Sequence, residues 1–102
     1  METGLIIIEE YCRNSRIESS FVSLLAREGL IDIKVVEETM YIHESQLADL
    51  DRFANMYYDL SINIEGIDVI HNLLQRINGL EKELYSLRKL FGHKDDLWED
   101  IE

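Results

Sequence analysis

The sequence contains no proline and only one cysteine among its 102 residues. Without proline, nothing in the chain forces a long helix to break. A single cysteine, Cys12, cannot form an internal disulfide, which is typical of proteins in a reducing interior. No apolar run approaches the length of a membrane span, and the run from Leu5 to Ile8 is too short for a secretory signal. We therefore expect a cytoplasmic protein without a membrane segment.

Basic residues are also scarce. There are 10 of them against 21 acidic residues, which gives a net charge of −11. Residues 1–59 hold twelve acidic and five basic side chains, whereas residues 60–94 hold four and five. The last eight residues, DDLWEDIE, hold five acids and no base. Such a surface repels phosphate backbones and attracts basic protein surfaces. The charge therefore predicts a positively charged protein partner and makes nucleic acid a poor one.

Patterns that carry catalysis or bind cofactors are missing as well. We find no glycine-rich phosphate loop, nucleophile elbow or paired-carboxylate arrangement. His43, His71 and His93 show no ligand spacing with one another or with Cys12, whereas a zinc site needs three or four convergent ligands. The sequence thus predicts a protein that is not an enzyme, with no cofactor, no metal and no small-molecule substrate.

The front of the chain predicts a helix-turn-helix. Residues 8–14 have the pattern of a brief helix with one apolar face. Ser15 and Glu18 have the spacing of a capping box, which would open a second helix over residues 18–28. Gly29 follows where helices usually stop. Two short helices joined by a tight turn form this motif, although spacing alone is a weak signal.

A small β element follows. Residues 5–7 read as a short strand, and residues 33–42 are rich in β-branched residues that favour strands. The second stretch bends at residues 37–39, which predicts a two-stranded wing. Residues 44–60 then show apolar side chains at the helical period. The predicted fold is mainly α, a winged helix-turn-helix with a small β wing and a long C-terminal helix.

The C-terminal helix should be long. Asn63 can cap it, and the apolar period continues without a clear stop over residues 64–91, which span about 40 Å. We expect the head to cover this helix only as far as about Leu74. Beyond that point a stripe of apolar side chains remains: Ile77, Leu80, Leu84, Leu87 and Phe91.

A second copy of the chain is the favoured cover for this stripe, which makes a homodimer the expected state. Packing within the monomer is the alternative. The flanks carry charged residues, as in a coiled coil: Glu81, Lys82, Glu83, Arg88 and Lys89. The stripe by itself leaves parallel and antiparallel pairing open.

Three segments follow from this pattern: a winged head over residues 1–60, a dimerisation helix over residues 61–92 and an acidic, mobile tail over residues 93–102. The tail carries Leu97, Trp98 and Ile101 at helical spacing. These side chains could dock on a basic partner and fold there.

Residues 58–91 resemble the bacterial chaperone-modulator family called CbpM; their sequence is YDLSINIEGIDVIHNLLQRINGLEKELYSLRKLF. That family has a MerR-like winged helix-turn-helix scaffold. The shared features are Leu60, a capping Asn63, the pair Gly66-Ile67 and then an apolar helix with a leucine-spaced end. The stretches EEYC and EGLI near the front also agree. The resemblance covers about residues 5–91 and excludes the acidic tail. It also favours antiparallel pairing of the long helices.

This resemblance implies a specific function. Members of the family bind the J-domain of a DnaJ-like, DNA-binding co-chaperone and block its activity, including its work with the Hsp70 chaperone. J-domains engage Hsp70 through a basic helix, so an acidic protein on the same face would compete. The acidic residues that we predict to form this docking surface are Glu18, Asp32, Glu37, Glu38, Asp49 and Asp51. The alternative for these residues is an ordinary solvated face.

A DNA-binding regulator is the competing hypothesis, because the scaffold is that of MerR-type transcription factors. Those proteins carry an Arg early in the second helix and basic residues in the wing. Here the matching helix position is Ser23, and the wing tip is Glu37-Glu38. Only Arg27 and Lys34 are basic in this region, whereas a specific DNA-binding protein typically neutralises several phosphates. DNA contact is therefore expected to be absent or to run through the partner.

Overall fold

The computed structural model describes residues 3–91. The predicted acidic tail, with Leu97, Trp98 and Ile101, lies outside the described residues, as does His93. The chain divides into two units, one ending at Asp68 and the other beginning at Val69. The elements are β1 (Leu5–Ile7), α1 (Ile8–Arg13), α2 (Ser19–Arg27), β2 (Lys34–Val36), β3 (Thr39–His43), a 3-10 turn (Glu44–Gln46), α3 (Leu47–Ala54), a π-helical turn (Asn55–Asp59) and α4 (Ile64–Phe91).

The strands form one antiparallel sheet in the order β1-β3-β2. Val36 pairs with Thr39 across a two-residue turn, so β2 and β3 make the predicted hairpin. The hairpin is not alone, however, because β1 pairs with the other edge of β3, and Ile6 lies opposite Ile42. Pairing on both sides satisfies the backbone groups of β3, and Ile42 is buried. The wing is therefore part of a three-stranded sheet rather than a separate two-stranded ribbon.

The predicted capping box between α1 and α2 is wrong. Helix α2 begins at Ser19 with Glu18 as its N-cap, and the Glu18 side chain makes no capping hydrogen bond. The Ser15 hydroxyl instead accepts a hydrogen bond from the backbone N–H of Ile17 at 3.2 Å. Serine side chains readily bond to the backbone two residues on, which stabilises a turn at the expense of a cap. Ser15 thus belongs to the turn of the helix-turn-helix and not to the second helix.

The predicted stop of α2 at Gly29 is confirmed. Gly29 has a φ of +79°, the left-handed conformation that glycine adopts without a Cβ clash. The backbone N–H of Leu30 donates to the carbonyl of Leu25 at 2.9 Å, and that of Gly29 donates to the carbonyl of Ala26 at 3.1 Å. This pair of bonds is the Schellman motif. Leu25 and Leu30 are both buried, so the motif also turns the chain into the core.

The core of the head unit is apolar, and no buried polar or charged residue occurs within residues 3–91. The buried apolar side chains come from α1, α2, β3, α3, the π-helical turn and the start of α4, and from the turns that follow α1 and α2. The wholly buried side chains of the largest volume are Phe21, Phe53, Ile8, Leu25, Ile42, Leu50, Ile67 and Val22. Hydrophobic burial therefore supplies the main stabilisation of the head.

The segment predicted as one helix over residues 44–60 has three parts. The His43 side chain accepts a hydrogen bond from the backbone N–H of Ser45 at 3.0 Å and caps the 3-10 turn. Helix α3 follows, and after Ala54 the hydrogen bonding widens, so that the N–H of Leu60 reaches the carbonyl of Asn55 at 3.2 Å. π-helical turns of this kind are rare, and a propensity pattern does not reveal them.

Arg16, in the turn between α1 and α2, is held by the π-helical turn. Its guanidinium donates to the two carboxylate oxygens of Asp59 at 2.6 and 2.9 Å and to the side-chain carbonyl of Asn55 at 2.7 Å. It also lies 5.6 Å from the centre of the Tyr58 ring. The Tyr58 hydroxyl in turn accepts a hydrogen bond from the backbone N–H of Glu18 at 3.1 Å. The π-helical turn therefore fixes the helix-turn-helix at its turn.

Helix α4 starts as predicted and runs unbroken to Phe91. The Asn63 side chain accepts a hydrogen bond from the backbone N–H of Gly66 at 2.8 Å, which caps the helix. Ile67 is the one buried residue of α4. Leu73 and Leu74 are 49% and 37% exposed. The expectation that the head covers the helix as far as about Leu74 stays a prediction.

The two glycines of α4 should respond to alanine in opposite ways. A Cβ at Gly66 would lie 2.8 Å from Cγ2 of Ile62 and 3.1 Å from the capping oxygen of Asn63, whereas a Cβ at Gly79 would meet nothing within 4 Å. We predict that Gly66→Ala lowers the free energy of unfolding by about 1 kcal/mol through the damaged cap. Gly79→Ala should raise it by up to about 1 kcal/mol. Urea unfolding followed by circular dichroism measures both, and equal stabilisation by the two would contradict the cap geometry.

Asp59 should make the stability of the head depend on pH. Its hydrogen bonds from Arg16 lower the pKa of the Asp59 carboxyl below its ordinary value. A carboxyl with a lowered pKa in the folded state stabilises the fold at neutral pH, and this contribution is lost as the pH falls through the folded pKa. We predict that Asp59→Asn is less stable than wild type at pH 7 and that the difference vanishes towards pH 2.

Urea midpoints across this pH range test the prediction. Asp32→Asn is the matched control, because Asp32 takes part in the fold through its backbone. If the stability difference between wild type and Asp59→Asn did not change with pH, the Arg16–Asp59 pair would not stabilise the fold through the charge of Asp59.

Candidate protein-binding surface

Helix α2 presents a nearly neutral face to solvent. Ser20, Ser23, Leu24 and Arg27 recur at helical spacing and line one shallow depression. In a helix-turn-helix protein this second helix is the element that enters the DNA major groove. Ser23 is exposed on this face. It occupies the position at which MerR-type transcription factors carry an arginine. The face thus offers hydroxyl groups and one cation.

The wing tip is acidic and conformationally unusual. Glu37 and Glu38 form the two-residue turn between β2 and β3, and their φ angles are +50° and +68°. Turns with two positive φ angles favour Asn-Gly, because a side chain with a Cβ is strained there. Both glutamates are exposed. A strained turn that holds two carboxylates in solvent is a reason to look for function at this position.

Apolar side chains lie directly beside the acidic tip. Val35 and Met40 are 65% and 39% exposed, and they are paired across the hairpin, so their side chains lie on the same face. Val36, on the opposite face, is 47% exposed. Sequence reasoning did not identify these three residues as functional, because β-branched and apolar residues in a strand predict a core. The edge position of β2 leaves them uncovered.

Two of the other predicted acids lie near the wing base and α3. The side-chain amide of Gln46 accepts from the backbone N–H of Asp32 at 2.7 Å and donates to its carbonyl at 3.0 Å, which leaves the Asp32 carboxylate exposed. Asp49 lies one turn after Gln46 and is paired with Arg52 at 3.5 Å. Asp32 and Asp49 are thus on neighbouring parts of the head, and the charge of Asp49 is partly neutralised.

Glu18 and Asp51 lie on the side of the head that carries Arg16. Glu18 is the exposed N-cap of α2 and contacts Tyr58 through its backbone. Asp51 is exposed on α3 and interacts electrostatically with Arg16. The six predicted acids therefore occupy the α2 N-terminus, the loop before β2, the wing tip and α3. Asp49 is partly exposed, and the other five are exposed.

Most of the positive charge of the head is already paired with head carboxylates. Arg13 lies 3.7 Å from Glu9, and Arg16 and Arg52 bind Asp59 and Asp49 as described above. Arg27 on α2 and Lys34 on β2 are the further basic residues of the head. Internal pairing lowers the positive potential that a phosphate backbone would meet.

The residues that organise this surface came from distant parts of the sequence. Arg16 and Asp59 are 43 positions apart, and Asp32 and Gln46 are 14 apart. No local periodicity connects such pairs. The turn at Glu37-Glu38 is different, because it could be predicted from local sequence. The β-branched runs on both sides of it indicate a hairpin.

The ionisable groups on the inner side of α1 do not form a reactive site. Burial raises the pKa of the Cys12 thiol. Burial, and then the charge of Asp51, raise the pKa of Tyr11. A thiol with a raised pKa is a weak nucleophile at neutral pH, and the Cys12 side chain is only partly exposed. Among residues 3–91, no three His, Cys, Asp or Glu side chains lie where they could hold a metal ion.

The predicted dimerisation stripe of α4 is uncovered by residues 3–91. Its five members are exposed as follows: Ile77 50%, Leu80 63%, Leu84 38%, Leu87 43% and Phe91 47%. No helix within the described part of the chain has the length and apolar character that crossing a membrane requires.

Comparison with curated proteins and with solved structures gave no match to this chain. Comparison with protein families did. The sequence pattern of the family described as MerR HTH family regulatory protein matches residues 6–89, which include both helices of the helix-turn-helix, the wing and nearly all of α4. The predicted MerR-like winged fold is confirmed by this match together with the helices, the small sheet and the long C-terminal helix. The chain belongs to the MerR HTH family of regulatory proteins.

Proposed function

We propose that this protein is a non-enzymatic adaptor whose acidic head binds the J-domain of a DnaJ-like co-chaperone and inhibits its work with Hsp70. The observation that carries the proposal is the wing tip, where Glu37 and Glu38 are exposed at the position that a DNA-binding wing would use to grip phosphates. Two carboxylates there oppose a phosphate backbone and attract a basic helix.

The chemistry of the wing suits a basic amphipathic helix. Glu37 and Glu38 supply negative charge at the tip, while Val35 and Met40 supply apolar area on one face beside it. Charges of this kind steer association, whereas apolar contacts in the centre of an interface contribute most of the affinity. The basic helix that J-domains use to engage Hsp70 has the complementary charge. A protein bound over that helix would prevent its contact with Hsp70.

The J-domain as partner rests on the resemblance of residues 58–91 to CbpM. In the structure, the residues that carry it form the start of α4: Asn63 caps the helix, Gly66 approaches Ile62 closely and Ile67 is buried. These residues thus shape the junction at which α4 begins. They support a shared scaffold, and the acidic wing supports the partner's charge.

A MerR-type transcriptional regulator is the second candidate, favoured by the family match and by the exposed face of α2. Ser20, Ser23 and Arg27 lie together there, and their side chains can donate hydrogen bonds to phosphate oxygens. The acidic wing opposes this function, because a duplex seated on α2 would bring its backbone near the wing.

Reversing the charge of the wing tip should slow the association with the J-domain. We predict that Glu37→Lys with Glu38→Lys lowers the association rate about three- to tenfold at low salt, and that the effect shrinks as salt screens the charges. Lysine and glutamate face the same strain at a positive φ, so the exchange alters charge more than backbone. Stopped-flow binding to the cognate J-domain measures the rate.

Glu9→Lys with Glu10→Lys is the matched control. It makes the same change in net charge on α1, away from the predicted docking residues. If both double variants slow association equally, then net charge rather than the wing steers the partner. No calorimetric binding of the wild-type chain to the J-domain at tens of micromolar in low salt would end the proposal. Retardation of duplex DNA at moderate salt would favour the regulator.

The apolar residues of the wing should govern dissociation instead. We predict that Val35→Thr with Met40→Thr raises the dissociation rate of the J-domain complex about tenfold and leaves the association rate nearly unchanged, because apolar contacts form after encounter. The same kinetic traces yield both rates. An unchanged dissociation rate would remove this face of the hairpin from the interface.

A further inference from the structure

His43 ends β3 and is the N-cap of the 3-10 turn that follows. Its Nδ1 accepts a hydrogen bond from the backbone N–H of Ser45 at 3.0 Å and lies 2.8 Å from the hydroxyl oxygen of the same residue. A backbone N–H can only donate, so Nδ1 is the unprotonated nitrogen and the proton of the neutral ring is on Nε2. The cap therefore requires the neutral imidazole in one tautomer.

The residue type makes this cap sensitive to pH. Serine, threonine and asparagine are preferred N-caps, and their side-chain oxygens accept a hydrogen bond at any pH. Histidine is the side chain that ordinarily gains a proton between about pH 8 and pH 5. The protonated ring carries an N–H on both nitrogens and has no acceptor. Once it is protonated, His43 directs an N–H at the N–H of Ser45, and the cap is lost.

The capped turn joins three parts of the head. The backbone N–H of Glu44 donates to the carbonyl of Gly4 at 2.8 Å, which holds the residue before β1. The side-chain amide of Gln46 binds both backbone groups of Asp32 in the loop before β2. Helix α3 begins directly after the turn. Release of the turn therefore loosens the edge of the sheet, the base of the wing and the start of α3 together.

The imidazole ring of His43 is packed against the residue before β1. Gly4 has a φ of +82°, and a Cβ there would lie 3.1 Å from Nε2 of His43 and 3.2 Å from the carboxylate carbon of Glu44. Glycine thus leaves room for both side chains. Because the Glu44 carboxylate and Nε2 meet at Gly4, that carboxylate attracts the ring once it is protonated.

Other titratable groups lie on the elements around the ring. Strand β1 places the uncharged Leu5 opposite His43. The titratable and charged residues of the turn, β3, β2, the loop before β2 and the first turn of α3 are Glu44, Tyr41, Lys34, Asp32 and Asp49. Only histidine ordinarily changes its charge near neutral pH, so His43 is the group in this set that can act there.

We propose that His43 is a pH-sensitive switch of the head: its unprotonated Nδ1 caps the 3-10 turn, and protonation of the ring releases the turn. The folded head favours the unprotonated ring, whereas the unfolded chain has no cap and no such preference. The head is therefore most stable above the pH range in which imidazole takes up a proton, and it loses stability as the pH falls through that range. The released loop leads to the wing, so the switch also controls how firmly the wing tip is held. The proposal concerns the free chain and does not depend on the identity of its partner.

The ¹⁵N resonances of the ring test the geometry in the wild-type protein. At pH 8 we expect His43 to carry its proton on Nε2 and to have an unprotonated Nδ1, and comparison with a His43→Asn variant assigns the signals. A neutral ring with its proton on Nδ1 would overturn the proposal, because that ring cannot accept from Ser45.

The pH dependence of stability tests the switch itself. Between pH 8 and pH 5, we expect the folding equilibrium constant of wild type to fall about fivefold relative to that of His43→Asn, because asparagine caps without titrating and one N-cap is of this size. His71→Gln removes a histidine from α4 instead and should retain the fivefold fall. Asp59 acts at lower pH, because the pKa of its carboxyl is lowered. Urea unfolding followed by circular dichroism measures all three proteins, and parallel pH profiles of wild type and His43→Asn would overturn the proposal.

Amide hydrogen exchange locates the change. After correction for the intrinsic exchange rate, the N–H groups of Glu44 and Asp32 should lose about fivefold in protection from pH 8 to pH 5 in wild type and keep it in His43→Asn. The N–H of Leu30, which donates to the carbonyl of Leu25 at the end of α2, should keep its protection in both proteins. An equal loss of protection at Leu30 and at Glu44 would show general unfolding and would contradict a local switch.

Discussion

The contact between Arg16 and the π-helical turn sets the arrangement of the head. Arg16 lies in the turn of the helix-turn-helix. Its guanidinium donates hydrogen bonds to both carboxylate oxygens of Asp59 and to the side-chain carbonyl of Asn55. Phe21 of α2 stacks on Tyr57 of the same π-helical turn, with ring centres 4.5 Å apart. Polar and aromatic contacts on the same segment thus fix where α2 begins. The position of α2 in turn fixes which side chains the head presents to a partner.

The same contact has an electrostatic consequence. Arg16 is engaged by Asp59, and Arg13 and Arg52 lie 3.7 and 3.5 Å from the carboxylates of Glu9 and Asp49. The scaffold is one that other proteins use to bind DNA, yet its wing tip ends in Glu37 and Glu38. The strained turn keeps two carboxylates where Asn-Gly would be more stable. Such a turn is readily understood if the charge is needed for binding.

Much of the local structure could be predicted from the sequence. Gly29 ends α2 because only glycine takes its left-handed conformation freely, and the cap at Asn63 is read from the residue type and the apolar period that follows. The hairpin turn was correctly placed between two β-branched runs. The apolar stripe of α4 is likewise a property of spacing alone. These features depend on contacts between residues close in the chain, so a short window contains their cause.

The remaining features were decided by tertiary structure. Nothing local distinguishes the capping box at Ser15 from the turn that forms, because the Glu18 N–H that a capping box would use donates instead to the Tyr58 hydroxyl, 40 positions away. Three other features could not be predicted from local sequence either. They are the pairing of β1 with β3, the π-helical turn, and the exposure of Val35 and Met40 at the edge of the sheet. The sequence alone determined the net negative charge, the fold class and the spacing of the apolar stripe on α4. The fold decided which charges are paired and which apolar residues stay exposed, because these depend on distances between segments far apart in the chain.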